Sequence, residues 1–228
     1  MTTLSILPVG LRRRILQRTE IERLLIASTF FSCFLVALRV FHTRTPQFMF
    51  MGWNLFLAYL PYLLSAWLTA KQIRRSFLFI GSAVWLLFIP NTFYMLTDLF
   101  HLIDRRSPQS PAWYDLALIF SFAWNGLLLG VLSVRQMQKL LVPGQSKVRG
   151  NAFLYCTMFL CALGVYIGRY LRYNSWDVVS NPLQLTADIV GMIIHPMRNH
   201  LAWGMIGCFT ILLCFIYNML KKMSQALA

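Results

Sequence analysis

Six blocks of apolar residues, each close to the length of a membrane-spanning helix, constrain this chain more than any other feature. A helix needs about 20 mainly apolar residues to cross the hydrocarbon core of a bilayer. Hydrophobic residues make up 58% of the 228 residues and charged residues only 12%, so a soluble fold would leave much apolar surface in water. We therefore predict an all-α integral membrane bundle of six transmembrane helices, at about residues 23–41, 49–70, 76–97, 113–134, 151–171 and 200–220. The connecting segments are mostly short, and we expect a single transmembrane domain over residues 1–228.

The distribution of Lys and Arg predicts the orientation of the bundle. If the N-terminus is cytoplasmic and six helices alternate, most of the 21 basic residues fall on the cytoplasmic side, which is where membrane proteins carry their Lys and Arg excess. Both termini are therefore predicted to be cytoplasmic. The net charge of +14 is then a topology signal, and we expect the lipid bilayer, rather than nucleic acid, as the partner. The first block has no small-residue cleavage motif after it, so we expect a retained helix.

The five aspartates and the four histidines gather on the opposite side of the membrane, whereas Glu20 and Glu22 fall on the cytoplasmic side. The orientation was assigned from Lys and Arg alone, so this second asymmetry is independent of it. The residues concerned are Asp98, Asp104, Asp115, Asp177, Asp188 and the histidines His42, His101, His195 and His200. Ionisable side chains near a membrane are costly and commonly mark functional sites. The sequence therefore predicts a polar layer at the extracytoplasmic end of the bundle.

The stretch PNTFYMLTDLFHL, residues 90–102, supplies the densest part of that layer. Four of its polar side chains share one helical face at spacings of 3, 4 and 3, namely Asn91, Tyr94, Asp98 and His101. Pro90 lacks an N–H group, so a bend or a free backbone acceptor is expected beside it. Asn54 in the second block is expected at the same depth, which predicts a polar pocket between the second and third helices.

The fourth and fifth blocks bring further polar residues to this end. Asp115 follows Trp113 and Tyr114, which are typical interfacial anchors. The stretch GRYLRYNSWD carries Arg169 and Arg172 on one face, with Asn174 and Asp177 after them. Residues 182–195 then predict a short helix, either interfacial or re-entrant, because they are apolar but too few to span a membrane. Glycine pairs of the G-x-x-x-G kind, Gly126 with Gly130 and Gly164 with Gly168, predict close helix packing.

Two classes of function remain open for this layer. In an enzyme acting on a lipid-linked or anionic substrate, Asp98, His101 and Asp115 are the candidates for catalysis, and Asp98 with His101 would hold a divalent metal if one is used. Substrate binding would fall to the remaining polar residues, Asn54, Asn91, Tyr94, Arg169, Arg172, Asn174 and Asp177. In a non-enzymatic assembly factor or small permease, Asp98 would pair with Arg169 or Arg172 to hold helices together. No motif of a known catalytic class is present, and protein partners are not predicted.

The motifs WLLFIPNTFYMLTDLFHL, WYDLALIF and GVYIGRYLRYNSWDVVSNP resemble an uncharacterised bacterial family of multi-pass membrane proteins, domain of unknown function thirteen sixty-one. The similarity runs from about Asn54 to about His200. The chain has every residue of the family pattern, which comprises Asn54, Pro61, Pro90, Asn91, Tyr94, Asp98, His101, Tyr114, Asp115, Gly168, Arg169 and Arg172. Asp177 lies in an extension that only some members share. The resemblance implies a bacterial inner (plasma) membrane protein and implies no particular activity.

Overall fold

A computed structural model describes residues 9–70, 73–103, 110–144 and 146–226, with side chains from residue 20 onward. These residues form helices and no strand, as the all-α prediction required. The α-helices in chain order are α1 (Val9–Thr43), α2 (Phe50–Ala70), α3 (Arg75–Phe88), α4 (Pro90–Tyr94), α5 (Ala112–Leu141), α6 (Lys147–Arg169), α7 (Asp177–Ser180), α8 (Pro182–Ile194) and α9 (His200–Ala226). A 3₁₀ helix, Met95–Leu102, follows α4 directly.

Five helical stretches in the described part of the chain are long and apolar enough to cross a membrane. They are Glu20–Thr43, Arg75–Leu102, Ala112–Leu141, Lys147–Arg169 and His200–Ala226. The α2 helix has 21 residues but is not among them, because Asn54, Pro61 and its tyrosine and tryptophan side chains lower its mean hydropathy. The chain is therefore a multi-pass helical protein with the composition of a membrane bundle, and a sixth crossing by α2 stays a prediction.

The third apolar block is not one continuous helix, which corrects the predicted boundaries of 76–97. The α3 helix ends at Phe88 and α4 begins at Pro90, because proline supplies no N–H for the helical ladder. Two side chains donate to the carbonyls before this break. Asn91 Nδ2 lies 3.0 Å from the Phe88 oxygen, and Ser175 Oγ lies 3.3 Å from the Leu87 oxygen. The interruption thus binds the chain segment after α6 to the third helix.

Two glycine seams hold α4 between α5 and α6, which confirms the predicted packing role of both pairs. A Cβ atom added at Gly126 would lie 2.5 Å from the Thr92 carbonyl oxygen, and one at Gly164 would lie 2.6 Å from the Pro90 ring. Gly130 meets the Thr92 side chain in the same way. The α4 helix therefore packs against α5 through its backbone and against α6 through the Pro90 ring, at distances that a Cβ atom on these glycines would not permit.

The end of the bundle opposite to the 3₁₀ helix is held by contacts of Gln138 on α5. Its Nε2 donates to the Gly150 carbonyl of α6 at 2.7 Å, and its Oε1 accepts from the Tyr217 hydroxyl of α9 at 2.7 Å. Among the described residues, this end also carries most of the Lys and Arg side chains, and we call it the basic end. They include Arg23, Arg74, Arg75, Arg135, Lys139, Lys147, Arg149, Lys221 and Lys222.

Candidate functional site

A partly open cavity of about 890 Å³ lies between α2, the α3–α4 break, α6 and the segment that contains α8. Its deeper walls are apolar and include Leu57, Leu86 and Leu163. The polar side chains gather at its rim. They are Asn54, Asn91, Tyr94, His101, Arg169, Arg172, Tyr173, Asn174 and Ser175. Seven of the ten residues predicted for the site therefore line one cavity, and the exceptions are Asp98, Asp115 and Asp177.

Arg169 is the central cation of the rim. Its Nη1 lies 3.4 Å from Asp98 Oδ1 and 3.4 Å from the Tyr94 hydroxyl, and its Nη2 lies 3.3 Å from His101 Nε2. Because a guanidinium only donates hydrogen bonds, a hydrogen bond here requires the His101 tautomer that accepts at Nε2. The 3₁₀ helix has three residues per turn, so Asp98 and His101 lie one above the other and reach the same guanidinium.

Asp98 is fully buried behind Arg169 and does not line the cavity. Its Oδ2 accepts from Asn54 Nδ2 at 3.2 Å, and its Oδ1 faces Arg169. A buried carboxylate needs a charged or hydrogen-bonded partner on each oxygen, and these two residues supply them. Asp98 therefore contacts two cavity-lining side chains and does not itself line the cavity.

Arg172 lies at the rim with a left-handed backbone. Its φ is 61°, and the Tyr173 N–H behind it donates to the Ile167 carbonyl at 3.3 Å, which closes the C-terminal turn of α6. A residue other than glycine in this region costs about 1 kcal/mol. Within the described part of the chain, the Arg172 side chain makes no hydrogen bond or ion pair, so its charge is available to a ligand.

The segment after α6 covers one side of the cavity and is built from its own short contacts. Ser175 Oγ accepts from Asn91 Nδ2 at 2.9 Å, which brings two rim residues together. Asp177 does not line the cavity. Its Oδ2 accepts from the Asn174 N–H at 2.6 Å, which lowers the pKa of the carboxyl group. Asp177 thus shapes the turn that places Asn174 on the rim.

The α8 helix begins at Pro182, as predicted, and lies over the cavity through Leu185 and Ile189. Asn181 precedes it without a side-chain capping bond. The Tyr173 hydroxyl donates to Asp188 Oδ2 at 2.7 Å, and this bond raises the pKa of Tyr173 to about 12. Tyr173 and Ser175 were not predicted for the site. Both occur in the quoted motif, but their role depends on the fold of the loop.

Asp115 lies in a separate buried ion pair, away from the cavity lining. Its Oδ1 accepts from Arg39 Nε at 2.8 Å and from Ser110 Oγ at 2.6 Å. Arg39 also donates to Gln47 at 3.2 Å and lies over the Phe48 ring at 4.3 Å. The pair joins α1 to α5. Arg39 was not predicted, although an arginine inside the apolar run LVALRVF is the signal that could have revealed it.

The arrangement does not fit the divalent metal considered from the sequence. Among the described residues, no three His, Cys, Asp or Glu side chains cluster as metal ligands. Asp98 and His101 both contact the Arg169 guanidinium, whose positive charge lies where a metal held by these two residues would bind. The exposed positive charges of the rim instead match an anion.

A family model described as "Protein of unknown function (DUF1361)" matches residues 53–216. This region contains every cavity-lining residue, from Trp53 to Ile189. The match confirms the resemblance inferred from the PNTFYMLTDLFHL, WYD and GRYLRYNSWD stretches. No curated protein and no solved structure matches the chain.

Proposed function

We propose that this chain, which belongs to the DUF1361 family of proteins of unknown function, binds the anionic headgroup of a lipid-linked substrate in its cavity and hydrolyses or transfers that headgroup. The observation that carries the proposal is the position of two arginines, Arg169 and Arg172, above apolar cavity walls. This combination matches a molecule that is charged at one end and apolar at the other.

The charges of the rim favour a negative group. Asp98 balances part of the Arg169 charge, whereas Arg172 has no acidic partner among the described residues. Guanidinium groups bind phosphate and carboxylate through paired hydrogen bonds. The Asn54, Asn91 and Asn174 side chains add neutral amides at the same rim. The lining therefore has a positive balance and enough donors to replace the water around an anion.

The deeper walls favour an apolar tail. Leu57, Leu86, Leu87, Leu160 and Leu163 line the cavity below the arginines. A small hydrophilic anion would leave these side chains without apolar contacts, whereas an alkyl or prenyl chain would bury them. An amphiphile that enters from the bilayer is the ligand class that uses both parts of the cavity.

His101 is the residue we propose for proton transfer. Among the described residues that line the cavity, it is the one whose side chain ordinarily titrates near neutral pH. Its contact with Arg169 and its edge-to-face packing with Phe50, at 5.3 Å between ring centroids, fix the imidazole at the rim. Asp98 and Asp115 are buried away from the ligand position and act on it through other residues or not at all.

A permease has less support from the geometry. Asn125, the polar residue best placed for a deeper path, donates to Ser32 at 3.1 Å and to the Ser121 carbonyl at 2.8 Å, and it does not line the cavity. Ser65 and Ser133 likewise bond to each other at 2.9 Å. Among the described residues, neither Asn125 nor this serine pair lines the cavity, so its polar lining does not extend towards the basic end.

The Lys and Arg distribution supports an orientation with both termini cytoplasmic and the cavity at the extracytoplasmic face of a bacterial inner membrane. In this orientation α2 crosses the membrane as a sixth transmembrane helix. The α8 helix is then interfacial or re-entrant, because its 13 residues span only about 20 Å along the helix axis and do not cross the hydrocarbon core.

Native mass spectrometry of the purified full chain tests the binding proposal. Hexadecyl phosphate and hexadecanol have the same tail, and glycerol phosphate carries the anion without the tail. We expect hexadecyl phosphate to bind at least tenfold more tightly than either comparison ligand. Arg172→Gln should remove most of this preference, while Arg198→Gln, an exposed arginine outside the cavity, should retain it. Equal binding of hexadecanol and hexadecyl phosphate would show that the rim does not select an anion.

A further inference from the structure

A second groove, of about 490 Å³, lies at the basic end between α1, α5 and α9. It is separate from the cavity described above and shares no lining residue with it. Its walls come from three helices, and they comprise Ile21, Leu24, Leu25 and Ser28 of α1, Trp124, Leu128, Val131, Leu132 and Arg135 of α5, and Tyr217, Leu220, Lys221 and Ser224 of α9.

The groove has the length of one bilayer leaflet. Its α5 wall runs from Trp124 to Arg135, which is about 16 Å along a helix axis. Half of the hydrocarbon core of a bilayer is about 15 Å thick. The apolar side chains follow this wall from Trp124 through Leu128 and Leu132, and several of them are exposed or half-buried. An extended acyl chain would therefore cover the groove along its length.

The charges occur only at the basic end of the groove. Arg135 Nη1 donates to Ser224 Oγ at 3.2 Å, and the Lys221 amine lies 6.0 Å from the centre of the Tyr217 ring. Both cations are half-buried, so water and salt screen them less than surface charges. The described residues that line the groove include no Asp or Glu. The described lining therefore carries two cations and no acidic side chain beside the apolar wall.

We propose that this groove binds an anionic phospholipid from the leaflet at the basic end. The phosphate lies between Arg135 and Lys221, and one acyl chain lies along α5 towards Trp124. Basic pockets between transmembrane helices favour anionic headgroups in this way. An apolar transmembrane helix of a partner or second copy would cover the apolar wall but would bring no anion to Arg135 and Lys221. The charge pattern therefore favours a lipid, and it is independent of the substrate proposed for the cavity.

Trp124 provides a local readout of the occupant. The protein is placed in phosphatidylcholine nanodiscs that contain a small fraction of either brominated phosphatidylglycerol or brominated phosphatidylcholine. The Trp124 signal is the difference between the fluorescence of the wild type and of Trp124→Phe. We expect brominated phosphatidylglycerol to quench it several-fold more than the same fraction of brominated phosphatidylcholine. Equal quenching would mean ordinary bilayer contact, and no quenching would mean that protein covers the groove; either result overturns the proposal.

A charge-matched pair of double variants tests the role of the cations. Arg135→Gln with Lys221→Gln should weaken the phosphatidylglycerol preference by about tenfold or more. Arg149→Gln with Lys222→Gln removes the same charge from exposed positions at the same end and should preserve the preference. Equal loss in both double variants would reduce the effect to surface charge. Arg172→Gln, which changes the cavity, should leave the Trp124 signal unchanged, so the two proposals fail separately. If the groove variant does not fold, the wild-type comparison still decides the proposal.

Discussion

Arg169 donates to the fully buried carboxylate of Asp98 across 3.4 Å, and this ion pair joins α6 to the 3₁₀ helix beside the cavity. The two partners are not equally exposed, since 18% of the Arg169 side chain is accessible and none of the Asp98 side chain is. The partly exposed Arg169 can contact a ligand, while the buried Asp98 holds the Arg169 guanidinium in place. This asymmetry separates the structural role of Asp98 from the binding role that we propose for Arg169.

The asymmetry predicts unequal effects of removing each partner. Arg169→Met leaves the Asp98 carboxylate buried without its cation and should destabilise the protein by about 3–5 kcal/mol. Asp98→Asn leaves a partly exposed guanidinium and should cost less. Thermal unfolding in nanodiscs measures both, and the double variant should be more stable than Arg169→Met alone. A larger loss for Asp98→Asn than for Arg169→Met would contradict the buried-carboxylate argument.

The seam around α4 predicts that a single methyl group disrupts packing. A Cβ at Gly130 would lie 2.5 Å from Thr92 Oγ1, so Gly130→Ala should destabilise the bundle by about 1–3 kcal/mol. Gly204→Ala in α9 is the matched control, because nothing lies within 4 Å of the added Cβ and alanine favours helix. Unfolding temperatures in the same bilayer should therefore fall for Gly130→Ala and hold or rise for Gly204→Ala. Similar changes in both variants would argue against a close α4–α5 approach.

The left-handed backbone of Arg172 predicts that stability and binding change in opposite directions. Arg172→Gly should stabilise the protein by up to about 1 kcal/mol, because glycine adopts a positive φ without steric cost. The same change should weaken binding of hexadecyl phosphate. Arg172→Ala removes the side chain and keeps the backbone cost, so it should weaken binding without the gain in stability. If the glycine and alanine variants are equally stable, the backbone at this position carries no strain.

The bond between Tyr173 and Asp188 predicts an alkaline titration. The carboxylate that accepts from the Tyr173 hydroxyl raises the pKa of that tyrosine from 10.0 to about 12. The folded state thus favours the protonated phenol, and this contribution is present below pH 10 and is lost as pH rises through about 12. The difference in ultraviolet absorbance between wild type and Tyr173→Phe measures the pKa, which should fall towards 10 in Asp188→Asn. An unchanged value in that variant would show that the bond is not formed.

Reporter fusions distinguish six crossings from five. With six crossings, a fusion at Met197 lies on the extracytoplasmic side and a fusion at Lys147 lies in the cytoplasm. Alkaline phosphatase, which is active only outside, should therefore work at Met197 and fail at Lys147. If the N-terminus is cytoplasmic and α2 does not cross, Lys147 lies on the extracytoplasmic side and Met197 lies in the cytoplasm. Activity at Lys147 would thus sink the six-helix arrangement while leaving the five apolar helices in place.

The hydrophobic pattern predicted the helices well because lipid accepts few other backbone structures. The predicted helix boundaries were wrong where the backbone, rather than the apolar pattern, decides where a helix ends. The third block was predicted as one helix over 76–97, but Pro90 divides it and the 3₁₀ turn continues to Leu102. The last block was predicted to end near residue 220, whereas α9 continues to Ala226, because a helix does not stop where its apolar stretch ends.

For the site, sequence periodicity predicted that Asn91, Tyr94 and His101 share a face, and all three line one cavity. It did not separate the three aspartates that were assigned to the site. Asp98 lies behind the cavity, Asp115 pairs with Arg39, and Asp177 shapes a turn. Their partners are Arg169 for Asp98, Arg39 for Asp115 and Asn174 for Asp177. These pairs are separated by 71, 76 and 3 residues along the chain. A spacing rule covers only the last of these distances.

The sequence by itself determined that the chain is helical and apolar and which family it belongs to, and it predicted that the aspartates and histidines gather at one end. These properties follow from composition and from periodicities within single helices. Only the tertiary structure decided that Arg169 stands before a buried Asp98, that Arg172 is unpaired among the described residues, and that two cations face an apolar groove at the basic end. Such relationships depend on how separate helices pack. Their electrostatic consequences are set by distance and burial, and neither quantity is present in the order of residues.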